Sequence, residues 1–255
     1  MRACACACAD LLSLSQTRSL SRRPRHKPQC KAWRAEADAA VVAAGGCPVG
    51  DVAAQEAAVD KWLAPARTLA EIRAAAERGD LAAMHVLGSC FRYGGRGAPK
   101  DEAQWLAWVQ RAAGGNLAHA QTQLGVMHFH GLCGLAANHV EGARLYALGA
   151  AQELAIAQHN LACCYRDGEG VPRDLERAFS LFRQAAEAGF AEAQAELAAA
   201  YVNGESVACD YAAAMLWARR SADQGNAVGE YNVGALFRRG HGVPVDLRAA
   251  ASWYA

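Results

Sequence analysis

Four residues between positions 128 and 139 have side chains that could bind a zinc ion: His128, His130, Cys133 and His139. Structural zinc sites take such ligands from pairs separated by roughly two to five residues. The spacing here matches none of the established zinc motifs. We therefore expect His128 to pack in a core and His130 to be exposed at a helix end, and we expect no metal or other cofactor.

Residues 94–101, with the sequence GGRGAPKD, are rich in glycine and contain a lysine, as phosphate-binding loops do. Such a loop requires Gly-Lys-Ser/Thr and lies between a strand and a helix, whereas this segment lacks the hydroxyl residue and follows a predicted helix. We expect a simple turn. The chain also lacks a Ser-x-x-Lys nucleophile motif. We expect no enzyme activity and no small-molecule substrate.

Ten cysteines could indicate a scaffold held by disulfides in an oxidising compartment. No cysteine pair recurs at equivalent positions, and the cysteines fall into two groups. Cys4, Cys6, Cys8, Cys30 and Cys47 lie in or beside the N-terminal leader, and Cys90, Cys133, Cys163, Cys164 and Cys209 lie further along the chain. We expect the cysteines in helices to be small buried residues, with disulfides or reactive thiols as the alternative.

Residues 1–35 contain eight basic residues and one acidic residue, although the whole chain has a net charge of only +1. We interpret residues 1–47 as a disordered basic leader. A transit peptide would direct the chain to a plastid or mitochondrion, and a tail with no targeting role would leave it cytoplasmic. A basic tail that contacts nucleic acid is less consistent with its scattered charges, so we expect no nucleic-acid partner. No apolar stretch reaches the roughly 18 residues of a transmembrane segment.

A repeated sequence pattern runs through the rest of the chain. A Leu-Gly or Leu-Ala pair is followed by an aromatic residue four positions beyond the leucine and by a glycine three positions after that. Five copies start at Leu87, Leu124, Leu161, Leu197 and Val233, which are separated by 37, 37, 36 and 36 residues. His128 replaces the aromatic residue in the second copy. A constant period of this length is typical of helical repeat proteins.

Each copy predicts a helix, a turn and a second helix. Gly168 suits the end of a first helix, because glycine readily adopts the left-handed backbone conformation found there. Asp174, Asp210 and Asp246 suit the N-caps of second helices. Helices of this length are marginal alone and must stack on their neighbours. The sequence therefore predicts an all-α fold, an α-solenoid forming a right-handed superhelix of about five helix pairs.

The segments AQHNLACCYRDGEGVPRDLERAFSLFRQAAEAG and YNVGALFRRGHGVPVDLRAAASWYA resemble the Sel1-like repeat AxxxLGxxYxxGxGVxxDxxxAxxWYxxAAxxG, a relative of the tetratricopeptide repeat. We place repeats one to five at residues 81–117, 118–154, 155–190, 191–226 and 227–255. Repeat two departs from the pattern in its loop, GLCGLAANH, which leaves its turn geometry open.

A degenerate capping repeat is expected over residues 48–80. Thr68 and Glu71 would form a capping box there, and Pro65 suits the connection before it. At the other end the sequence stops within the second helix of repeat five, at Trp253 and Tyr254. We interpret this end either as a truncated sequence or as an edge that a partner completes.

The resemblance implies a protein–protein interaction scaffold or adaptor. Membrane-associated, ubiquitin-dependent protein degradation is one setting for such adaptors. A hydrolase of the β-lactamase type is the alternative, although the cysteine pair in each repeat that characterises those relatives is absent here. In related repeats the first helix of each pair lines a concave inner face, at positions two before and two, five and six after the leucine.

The inner-face positions are the candidate binding residues. Those chosen are His85, Arg92, Tyr93, Phe129, His130, His159, Arg166, Tyr231, Arg238 and Arg239, whereas repeat four contributes only Ala195, Ala199, Val202 and Asn203. Arginine recurs five residues after the leucine in three of the five copies. Because arginine forms bidentate pairs with carboxylates, we expect a protein or peptide partner that is acidic. The alternative is that exposed helix positions carry arginine for solubility.

Overall fold

The computed structural model describes residues 61–62, 67–204 and 206–254, and within these ranges it contains α-helices, one 3-10 turn at Gly95–Gly97 and no strand. The helices are α1 (Leu69–Glu77), α2 (Leu81–Tyr93), α3 (Glu102–Gly114), α4 (Ala118–His130), α5 (His139–Ala150), α6 (Ala155–Asp167), α7 (Leu175–Glu187), α8 (Ala191–Asn203), α9 (Tyr211–Asp223), α10 (Ala227–Arg239) and α11 (Leu247–Trp253). The prediction of an all-α solenoid of helix pairs is confirmed.

The helix boundaries follow the predicted capping residues. The Asp174 carboxylate accepts a hydrogen bond from the backbone N–H of Arg177, and Asp210 and Asp246 cap α9 and α11 in the same way. Thr68 and Glu71 form both hydrogen bonds of the predicted capping box. The leader and Pro65 lie outside the described residues. Local backbone chemistry therefore determines where these helices start.

The turn of repeat two has the same backbone connection as the others. The N–H of Asn138 donates to the carbonyl of His128 over 2.7 Å, just as Asp174 donates to Tyr165 over 2.8 Å. Gly131 has a φ of 68°, and an added Cβ would lie 3.0 Å from the backbone nitrogen of Ala137. The histidine is tolerated at position 128 because the turn uses its carbonyl group and not its side chain.

The repeated leucine positions form an apolar seam made of successive clusters along the stack. Leu87, Leu197 and Val233 are completely buried, and Leu124 and Leu161 are nearly so. The small residue after each leucine lets a neighbouring helix approach. A Cβ on Gly125 would lie 2.8 Å from two ring atoms of Tyr146 in α5. Burying one such aliphatic side chain contributes roughly 1.5–3 kcal/mol.

The first helices form the tighter layer of the solenoid. Along the chain, each first helix packs against the second helix before it and the second helix after it. In addition, α4 contacts α6 and α8 contacts α10, which links first helices of adjacent repeats directly. A stack curves toward the layer whose helices lie closer together. The surface formed by α2, α4, α6, α8 and α10 is called the inner face below.

Buried glutamine pairs connect the two helices within a repeat. The side-chain amide of Gln152 donates to Gln121 over 2.9 Å, and that of Gln224 donates to Gln194 over 2.8 Å. Gln158 donates to Gln184 over 3.3 Å in the repeat between them. The members on the first helices are buried, so each pair satisfies polar atoms that would otherwise lack partners.

Two of the helix cysteines are buried as expected. Cys90 and Cys164 are buried, Cys133 and Cys163 are partly exposed, and Cys209 is exposed in the loop before α9. All five are free thiols. Burial raises the pKa of the Cys90 thiol, which reduces its reactivity.

Candidate protein-binding face

The ten candidate residues differ in how far they are exposed. Tyr93, His130, Tyr231, Arg238 and Arg239 are exposed, with 49% of Tyr93 and 56% of Tyr231 accessible to solvent. Arg92, Phe129, His159 and Arg166 are partly buried, and His85 is buried. The structure therefore divides the predicted set into residues a partner can touch and residues that pack within the protein.

His85 is the clearest departure from the expected inner face, since only 3% of it is exposed. It lies two residues before the leucine. Thr122 and Ala195 occupy the same position in repeats two and four and are also buried, and the Thr122 hydroxyl donates to the carbonyl of Ala118. His85, like its equivalents in repeats two and four, is therefore not accessible to a partner in the folded array.

His85 shares the N-terminal core with a second buried histidine, His119. Burial, and secondarily the proximity of His85, lowers the pKa of His119 well below its usual value. The Nδ1 atom of His119 is buried and has no hydrogen-bond partner among the described residues. His119 is therefore neutral in the folded protein near pH 7.

The three arginines at equivalent positions have three different environments. The Arg92 guanidinium lies over the ring of Trp105 at 4.6 Å. Arg166 is only 18% exposed and forms two hydrogen bonds with Asp167, while its Nη1 atom lies 2.9 Å from Glu196 in α8. Arg238 is exposed. An arginine already bonded to two carboxylates offers little to an acidic partner, whereas Arg238 remains accessible.

His159 lies between repeats three and four, with its ring 5.6 Å from that of Phe182 and 5.3 Å from that of Phe190. Burial lowers its pKa, and the carboxylates of Glu196 and Glu192 offset part of that effect. The Cys163 sulfur lies 3.9 Å from its Nε2 atom, and Asn160 contacts Nδ1 at 3.4 Å. A nucleophile, a base and an orienting amide are thus close together.

That arrangement lacks the remaining parts of a hydrolytic site. Cys163 and His159 are one turn apart on α6, whose backbone N–H groups beyond the first turn are used by the helix itself. The depressed pKa of His159 also makes it a weak base. The arrangement is therefore better explained by packing than by acyl transfer.

Two of the four candidate zinc ligands pack against Phe129. His139 stacks on its ring at 4.4 Å, and His130 makes an edge-on contact at 5.2 Å. Partial burial of the ring and the neighbouring His139 lower the pKa of His130. Among the residues that the structure describes, no group of three or more His, Cys, Asp or Glu side chains could hold a metal ion.

A small pocket of about 100 Å³ opens between repeats three and four. Phe179 and Phe182 of α7 form one side, and Ala199 and Ala200 of α8 form the other. Glu196 lies at its edge, where its carboxylate is held by Arg166. Sequence reasoning did not identify the pocket, although the run of small residues in repeat four was a signal for it.

These features define an α-solenoid with exposed tyrosine and arginine side chains on its first helices and a small pocket between repeats three and four. Residues 81–116, 118–154, 155–190, 191–226 and 227–255 each match the family described as Sel1 repeat. The chain belongs to the Sel1 repeat family. Repeats of this kind generally serve as scaffolds for protein–protein interaction and are typically non-catalytic.

Solved structures with similar folds include three bacterial proteins. A protective antigen of uropathogenic Escherichia coli is 31% identical with a TM-score of 0.67, covering 74% of this chain and 40% of the antigen. A Sel1 repeat protein from Oxalobacter formigenes is 27% identical with a TM-score of 0.66, covering 72% of this chain and 73% of that protein. An immunity protein from Pseudomonas aeruginosa is 21% identical with a TM-score of 0.51, covering 91% of this chain and 82% of that protein.

The chain therefore spans about two fifths of the Escherichia coli antigen, and the similarity to the Pseudomonas protein shows the fold alone. A comparison with curated proteins gives no significant match. In the described part of the chain, every helix falls short of the length and apolarity that crossing a membrane requires.

Proposed function

We propose that this chain is a non-catalytic scaffold that holds a partner protein against its inner face. The observation that carries the proposal is the exposure of Arg238 and Arg239 at the end of α10, since Arg239 lies six residues after the repeated leucine position and the residue at that offset is exposed in all five repeats. Tyr231 is also exposed on α10 and shares one face of the helix with Arg238, although its equivalents in repeats one, two and four are buried. Tyrosine and arginine are enriched among the residues that dominate binding energy at protein interfaces.

The partner surface that meets α10 is acidic in this proposal. Arg238 and Arg239 are adjacent and exposed, which leaves their guanidinium groups accessible to carboxylates. At the other end of the array, Arg92 and the exposed Tyr93 form a second contact region. Arg166 is bonded to Asp167 and Glu196, so the acidic contact is limited to the two ends.

A comparison of captured partners tests the proposal. The full chain is compared with a triple variant, Tyr231→Ser with Arg238→Ala and Arg239→Ala. The matched control is Leu216→Ser with Arg219→Ala, which changes exposed residues on the second helix α9. Circular dichroism establishes that each variant keeps its helix content.

We expect the triple variant to lose partners that the control retains. Truncating interface tyrosine and arginine residues commonly costs about 2 kcal/mol each, so the loss should exceed tenfold. If the triple variant and the control capture the same proteins in equal amounts, α10 is not the binding surface.

A further inference from the structure

The pocket between repeats three and four has the size of one side chain. Its volume is about 100 Å³. Small-molecule sites are usually about 300–1,000 Å³, so this pocket is too small for a metabolite or cofactor. The aromatic rings of Phe179 and Phe182 and the methyl groups of Ala199 and Ala200 favour an apolar occupant. A side chain projecting from a larger partner meets both conditions.

Repeat four creates this pocket through its small inner-face residues. Val202 and Asn203 of α8 occupy the positions at which repeats three and five have an arginine followed by a charged residue. Ala199 lies one turn before Asn203, and both line the pocket. No long side chain from α8 therefore covers the opening.

The charges beside the pocket favour a cation. Arg166 is surrounded by Asp167 and Glu196, which lie 3.0 and 2.9 Å from its guanidinium. Glu192 lies one turn before Glu196 on α8, and both of their carboxylates act on His159. Two arginines thus lie beside these three carboxylates, since Arg173 Nε donates to the carbonyl of Arg166 over 3.0 Å, while the neighbouring histidine is neutral. This excess of negative charge is the reverse of the cationic surface on α10.

We propose that the pocket receives an apolar side chain from a basic segment of the partner protein, with an adjacent lysine or arginine pairing with Glu192 and Glu196. This inference rests on the proposed scaffold function and specifies the partner's chemistry at the middle of the array. A partner that crosses the inner face presents a basic segment to repeats three and four and an acidic one to repeat five. Together with the acidic contact proposed at Arg92 and Tyr93, the partner's charges are then acidic at both ends of the array and basic in the middle.

The test uses the full chain and a synthetic peptide, Gly-Ser-Arg-Leu-Arg-Ser-Gly. Two control peptides replace both arginines with glutamate or the leucine with glycine. Binding is followed by chemical-shift changes of backbone amides as the peptide is titrated to millimolar concentration. We expect saturable shifts at Ala199 and Ala200 with the first peptide, and at least fivefold weaker binding for either control. The affinity should also fall as salt is raised.

Matched variants distinguish binding in the pocket from non-specific electrostatic attraction of the peptide to the protein. Ala199→Phe fills the pocket and should weaken binding at least tenfold. Ala235→Phe makes the same change at the equivalent position of repeat five and should leave binding within twofold. Glu192→Lys with Glu196→Lys should reverse the preference, so that the glutamate peptide binds better than the arginine peptide.

The proposal is overturned if the arginine peptide gives no saturable shifts, if Ala199→Phe and Ala235→Phe behave alike, or if the charge reversal leaves the preference unchanged. Those results leave the Tyr231 capture experiment unaffected, because that experiment changes α10 and measures natural partners. The converse outcome is that the α10 variant captures the same partners as its control while the peptide still binds the pocket. That outcome rejects the α10 surface and leaves the pocket proposal standing.

Discussion

The N-terminal and C-terminal repeats share one backbone pattern but have different cores. Trp105 and Trp108 of α3 pack with Leu87 and Phe91 in a core that extends across repeats one and two. The core of repeats four and five contains four alanines with Met215, Val233 and Leu236, and its larger aromatic rings, such as those of Trp217 and Trp253, are only partly buried. The repeat pattern fixes helix spacing, whereas side-chain volume determines how strongly adjacent repeats are held together.

This difference implies that the array does not open uniformly. A repeat interface with large buried side chains removes more apolar surface from water than one lined by alanine. We expect the C-terminal repeats to open first, and these repeats carry the exposed tyrosine and arginines of the proposed binding surface. The larger core thus lies at the N-terminal end, whereas the proposed acidic contacts lie at both ends.

The largest expected effect comes from removing a seam residue at each end. Leu87→Ala should lower the free energy of unfolding by about 3 kcal/mol, because a fully buried leucine leaves a cavity in a well-packed core. Val233→Ala should cost about 1 kcal/mol, less than its two removed carbon atoms alone would give, because the core around it is lined by smaller buried side chains. Urea denaturation measures both. Equal losses would contradict the contrast between the two cores.

The glycine that follows the leucine gives a second comparison, between repeats one and two. Gly125→Ala should destabilise by about 1–3 kcal/mol, because the new methyl group would lie 2.8 Å from the buried ring of Tyr146. Gly88→Ala should be neutral or stabilise by up to about 1 kcal/mol, since its nearest neighbours lie at 3.5 Å and alanine favours the helix.

Thermal unfolding of the two glycine variants measures the difference. If Gly125→Ala is as well tolerated as Gly88→Ala, the close approach of α5 to α4 is not maintained in solution. Gly79→Ala tests backbone strain instead of crowding, because Gly79 has open space around it but a φ of 99°.

Sequence alone predicted the features that depend on neighbouring residues in the chain. The N-cap at Asp174 and the left-handed Gly168 follow from local backbone geometry, which each repeat reproduces. The partners of Arg166 and His85 depend on which helix lies opposite. Glu196 is 30 residues from Arg166 in sequence, and no local pattern showed that they would pair.

The glutamine pairs show the same difference between features set by local sequence and features set by helix packing. Gln121, Gln158 and Gln194 recur three residues before the leucine, so their period was visible in the sequence. Their partners lie near the ends of second helices at different separations along the chain. Repetition therefore indicated one member of each pair, while the packing of the helix pair determined the other.

The smallest expected effect is a loss of stability in mild acid that originates in the N-terminal core. The pKa of His119 is well below its usual value in the folded protein, mainly because of burial, and returns to about 6.5 on unfolding. Above pH 6.5 both states are neutral at this residue and its stabilising contribution is complete. As the pH falls below about 6.5, the unfolded chain binds a proton that the folded protein excludes. The free energy of unfolding should then decrease by at most about 1.4 kcal/mol per pH unit, until the folded pKa is reached.

Urea denaturation between pH 7.5 and pH 5 measures this slope, with both limits being about one unit or more from the unfolded pKa of roughly 6.5. His119→Leu should make the slope shallower, because it removes the titrating group and an unpaired buried nitrogen atom. Amide exchange assigns the effect to a region: acidification should increase opening of α2 and α4 more than opening of α10. Part of the pH dependence of the free energy of unfolding should remain in His119→Leu, since burial also lowers the pKa of His159 in repeat three. An unchanged slope in His119→Leu would place the acid sensitivity outside the N-terminal core, and the two ends would then differ in packing but not in their response to protons.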